Sequence, residues 1–133
     1  MPLDAEFATT MQEAVALLNK VAVFYAKYHI LPVEERHALA LRLKHTQNEW
    51  ARCATFQQQH VDFITTLLQQ LRAHYQEWMD DDRVARKRWL RHPGESLNRL
   101  TLQSTNTTAM MEGLIVLQNR KLSALEAKEA WAQ

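Results

Sequence analysis

The sequence predicts an all-α fold, an elongated antiparallel helical bundle with one very long central helix. Three observations carry that expectation. Leu39, Leu43, Thr46, Trp50, Cys53, Gln57, His60, Ile64, Leu67, Leu71, His74 and Trp78 follow one another in steps of four and three. That is the 3.5-residue repeat of a helix packed lengthwise against another. The 133 residues include only two glycines and three prolines, too few for a fold that depends on tight turns. Ala, Leu, Gln, Glu, Arg and Lys dominate the composition, and these residues lose little on entering a helix. The length suits one domain, 1–133, able to bury a core of its own.

The first helix is expected over 4–29, with Asp4 as its N-cap. Phe7, Met11, Ala14, Leu18, Val21, Tyr25 and Tyr28 step by four and three, and Val15, Ala22 and Phe24 widen the stripe, so this helix should touch more than one neighbour. Pro32 disfavours helical geometry in the residue before it and suits the first position of the central helix, expected over 33–79. Glu34 and Glu35 there complement the N-terminal dipole. A second row, Ala54, Val61, Leu68 and Tyr75, broadens the apolar arc, whereas Arg36, Lys44, Asn48 and Arg52 leave the first half one-sided. The expectation is that this half overhangs the bundle. Asp80, Asp81 and Asp82 oppose a helix C-terminal dipole, which predicts a break and then a short helix over 83–91. His92, Pro93 and Gly94 predict a turn, and the last helix should run over 95–131. Its weak point is 101–108, rich in Ser, Thr and Asn.

Formal net charge is +1, so no global field draws the chain to nucleic acid or membrane. The single cysteine, Cys53, excludes an internal disulfide and fits a reducing compartment. Asp4 and Glu6 stand where a secretory leader carries basic residues. The longest apolar region, 14–26, is interrupted by Asn19 and Lys20 and is too short to span a bilayer. A cytoplasmic protein is expected, without a membrane partner.

No cofactor or metal is expected. A di-iron bundle needs two Glu-x-x-His pairs, and the chain has one, Glu34 and His37. His60 and His74, fourteen residues apart on one stripe, stand about 21 Å apart along a continuous helix and cannot share an ion. Thr46, Gln57, His60 and His74 need partners if buried. Cys53 reads as an inert thiol rather than a nucleophile, and the aspartate triplet as capping and solvation, since no EF-hand pattern surrounds it. No catalytic constellation emerges. The only basic cluster is Arg83, Arg86, Lys87, Arg88 and Arg91 around Trp89; phosphate contacts beside a stacking aromatic suit nucleic acid, although Asp80, Asp81 and Asp82 cancel much of its field.

On the last helix, Met111, Leu114, Ile115, Leu122 and Leu125 form one row, and Met110, Leu117, Ala124 and Trp131 another. Together they cover an arc of about 200°, wider than the ~100° stripe of an ordinary surface helix. Either this helix is central in the bundle, or part of its face is kept for a partner; methionine-rich helical surfaces adapt to varied ligands.

The acidic pair at Asp81 and Asp82, Arg88-Trp89, Asn106, Met110-Met111-Glu112-Gly113, Asn119 and Leu125 resemble the pattern of the flagellar hook–filament junction export chaperones (FlgN-like), and 63–72 looks like that family's central helix. The resemblance implies a cytosolic chaperone of a flagellar or type III secretion system that holds the amphipathic terminal helices of its substrate. A partner helix would then lie on the last helix, helix-in-groove, with Met110, Met111, Leu114, Leu117, Leu122 and Trp131 as the expected contacts. The expected function is therefore non-enzymatic protein binding. The alternatives are a small nucleic-acid-associated subunit using 83–91, and a structural coiled-coil protein whose partner is a second copy of itself.

Overall fold

In the computed structural model, residues 2–81 and 93–132 are described, and all of their regular structure is helical. Four helices follow in order: α1 (Pro2–Tyr28), α2 (Val33–Trp50), α3 (Gln58–Asp81) and α4 (Pro93–Ala132). The all-α class therefore holds.

α1 is the helix around which the others assemble, and it packs on α4, α2 and, more briefly, α3. Its Ala14, Leu17, Leu18, Val21 and Tyr25 are almost fully enclosed, the wide arc needed to serve three neighbours. α1 starts at Pro2, so Asp4 lies inside its first turn rather than capping it. It stops at His29, whose φ of 53° is the only positive value of a non-glycine among the described residues. A side chain is tolerated there at a cost, and Pro32 then opens α2 as expected. The turn is tied across by Arg36, whose Nη1 donates to His29 Nδ1 at 2.6 Å.

The long central helix over 33–79 is not formed. α2 ends at Trp50 and α3 begins at Gln58, although no glycine or proline lies between them. Tertiary packing decides this break. Folding back at 51–57 buries Phe56 and His60 and sets His60 edge-on to Trp50, with ring centroids 5.1 Å apart. Helical stability comes mainly from burying an amphipathic face, and a straight rod would leave half of its face uncovered. α2 does not overhang: Leu43 and Trp50 are buried, and it packs on α1.

Contacts of α1 with the 51–57 turn and α3 advance together along the chain, from Phe7 against Phe56 to Phe24 against Tyr75. Those between α1 and α4 run in opposite order, with Lys20 donating to Gln103 at 2.9 Å and Phe7 near Leu122 and Leu125. α3 carries through Asp80 to Asp81, where Gln76 Nε2 donates to Asp80 Oδ1 at 2.9 Å; the expected break lies at the edge of the described residues. The expected short helix over 83–91 lies outside the described residues. α4 takes in Pro93 and Gly94, because a first-turn residue needs no N–H donor and proline's φ already suits it.

No bend is needed at 101–108. Thr101, Thr105 and Thr108 turn their hydroxyls back onto the carbonyls of Leu97, Thr101 and Ser104, at 2.8, 3.0 and 2.9 Å. The competing side-chain hydrogen bond is made within the helix. Ser104 and Thr107 face inward and are buried, where small side chains let helices approach closely. Among the described residues, no helix is long and apolar enough to cross a membrane.

Candidate binding surface

The inward row of α4 is Leu97, Leu100, Ser104, Thr107, Met111 and Leu114, in steps of three and four, and every member is buried. The same stripe continues through Gln118 to Leu122 and Leu125, but there the described neighbours run out. α3 begins only at Gln58, and Leu122 and Leu125 are 56% and 51% exposed. From Asn119 to Ala132 every residue is exposed. The last turns of α4 therefore project past the bundle with their apolar row uncovered. Phe7, Ala54 and Phe56 close the near end of a groove of about 450 Å³ between this projection and the 51–57 turn. Lys121 lines it, and the remaining polar lining is Thr55, Gln57, Gln118 and Asn119.

A second exposed row, Met110, Leu117 and Trp131 with Val116 alongside, is turned away from the first by about 120° of helix. The expected contact set is thus divided. Met110, Leu117, Leu122 and Trp131 are accessible, Trp131 at 91% exposure; Met111 and Leu114, at 0% and 2%, belong to the core. Their place as contacts is corrected, because the 3,4 stripe upstream of Gln118 is consumed by α1 and α3. Leu125 and the groove floor of Phe7 and Phe56 join the surface. Leu125 was visible in the row with Met111, Leu114, Ile115 and Leu122; Phe56 gave no periodic signal, because it sits in a turn.

The polar members of the central stripe find partners. Thr46 donates to the Arg42 carbonyl at 2.8 Å. The Tyr25 hydroxyl meets His74 Nδ1 at 3.0 Å, and burial pushes the Tyr25 phenol far above its usual range. His60 Nδ1 accepts the Gln57 backbone N–H at 3.1 Å, which puts the ring proton on Nε2. Nε2 faces Cys53 Sγ at 3.9 Å, while that thiol donates to the Glu49 carbonyl at 3.4 Å. The imidazole thus offers the sulfur an N–H rather than a basic lone pair, so the pair is arranged as a turn clasp and not as base and nucleophile. Gln57 itself is exposed.

A larger cleft of about 770 Å³ lies at the α1–α2 turn, between Arg36, His74, Glu77 and Trp78. Arg36 Nε is buried without a hydrogen-bond partner, the only such side-chain nitrogen or oxygen among the described residues. No three His, Cys, Asp or Glu side chains among the described residues group in a way that could hold a metal. The basic segment with Arg83, Arg86, Lys87, Arg88, Trp89 and Arg91 lies outside the described residues. In comparisons with known proteins, no family model, curated protein or solved structure matches the chain.

Proposed function

We propose that this protein is a non-enzymatic helix-binding protein with an elongated antiparallel bundle, which shields an amphipathic helix of a protein partner against the projecting end of α4. The observation that carries the reading is that projection: from Asn119 onward every described residue of α4 is exposed, yet its inward stripe keeps Leu122 and Leu125. Isolated exposed apolar residues are ordinary, but a continuous uncovered row beside a groove marks an interaction site. A helix pressed into such a groove is a recurrent mode of recognition. The most concrete form of this role is a cytosolic export chaperone for a flagellar or type III secretion substrate, the expectation raised by the resemblance around Met110-Met111-Glu112-Gly113.

The test is affinity capture of the tagged protein from its native host, with mass spectrometry of what is retained, alongside a Leu122→Asp/Leu125→Asp variant. The expected result is one secreted protein with terminal helices, near stoichiometric, retained at high salt and lost with the variant. Retention of nuclease-sensitive material that salt releases would overturn the reading in favour of nucleic acid contacted through 83–91. Self-association alone would leave the structural coiled-coil reading.

A further inference from the structure

The 51–57 turn combines three properties that the other described turn lacks. It contains no glycine or proline, and none of its residues has a positive φ; Ala51 is right-handed helical at φ −60°, ψ −20°. By contrast, the α1–α2 turn is stopped by His29 at φ 53° and by Pro32. The apolar stripe also passes through 51–57 in phase: Leu43, Thr46, Trp50, Cys53, Gln57, His60, Ile64 and Leu67 keep steps of three and four. Finally, the turn separates two hairpins: α2 packs on α1 and α3 packs on α4, whereas α2 meets α3 through Trp50 against His60 and Phe63 and Arg42 over Phe63. The two hairpins meet chiefly through α1 against α4 and α3.

We infer that 51–57 is a hinge at which α2 and α3 can join into one helix, so that two copies of this chain exchange their α1–α2 hairpins. The joined helix would run over 33–81, about 73 Å, and each α1 would pack on the α3 and α4 of the other copy. All core contacts across the hairpin boundary are then remade between chains, which is why exchange of identical elements is a low-cost route to a dimer. What holds the closed form is local. Cys53 N–H bonds the Trp50 carbonyl at 3.0 Å, Arg52 N–H the Glu49 carbonyl at 3.1 Å, and Gln57 N–H the His60 ring. The first two can be replaced by helical bonds of the same backbone groups. Phe56 and the His60 clasp resist opening, so closed and open forms are separated by the packing of one turn rather than by backbone chemistry.

The test is to refold the protein from denaturant at high and low concentration and measure mass by light scattering on a sizing column. Wild type refolded at high concentration should yield a dimer of twice the 15.6 kDa chain mass that persists after dilution, because exchange back requires the interface to open. Ala54→Gly/Thr55→Gly penalises a continuous helix at two exposed positions and should lower the dimer fraction at least about tenfold, a factor that about 1.4 kcal/mol supplies. Deleting residues 51–57, one heptad, keeps the stripe in phase and forbids the closed turn; this variant should be wholly dimeric. A monomer at every concentration, or a dimer that the glycine pair leaves unchanged, overturns the inference. A monomeric, fully helical deletion variant does so too. If the deletion fails to fold, wild type against the glycine pair still decides.

Discussion

At the His60 imidazole, burial and hydrogen bonding demand the same protonation state. Desolvation beside Trp50 and Phe56 lowers its pKa, and its Nδ1 must stay unprotonated to accept the Gln57 N–H. The unfolded chain, titrating near ~6.5, takes up the proton first as pH falls. The contribution of His60 to stability is therefore full above about pH 6.5, is lost as pH falls from there toward the lower folded pKa, and levels off below it. Urea midpoints from pH 8 to 5 should decline for wild type and flatten in His60→Gln; parallel curves would sink the assignment. At Gly113, in the middle of α4, an added Cβ meets nothing within 4 Å. Gly113→Ala removes unfolded-state freedom without a clash and should raise stability by about 0.5–1 kcal/mol, read as a higher melting temperature.

At the scale of elements, α4 changes role along its length. A carboxylate at Met111 enters the core and should cost about 3 kcal/mol or more. The same change at Leu122 falls on the projection and should stay within about 0.5 kcal/mol. Equal losses in urea titrations of Met111→Asp and Leu122→Asp would mean that the projection is packed and the binding surface misplaced. The heptad row on α4 was legible in the sequence, but period alone cannot tell where a neighbour ends. Nor could it tell that 101–108 stays helical: Thr101, Thr105 and Thr108 have poor propensity, and only their back-bonded hydroxyls show how the helix accommodates them.

For the whole molecule, the core of α1 with α2, α3 and the first half of α4 is self-sufficient, and the projection adds exposed surface to it. Removing 119–133 should therefore leave the cooperative melt in place, with a midpoint within a few degrees of wild type, while captured partner is lost. A collapse of the melt would mean that Leu122 and Leu125 stabilise the fold through Phe7 and Phe56. The sequence by itself determined the helical class, the stop at His29 to Pro32, and which positions carry apolar stripes, because propensity, proline geometry and periodicity are local properties of the chain. Only the tertiary structure decided that Trp50 and Gln58 belong to different helices, that α1 rather than a central rod organises the bundle, and that Met111 is core where Leu122 is surface. Each of those outcomes depends on which helix covers which stripe, and a stripe of given period satisfies a straight rod, a folded hairpin and an uncovered projection equally well.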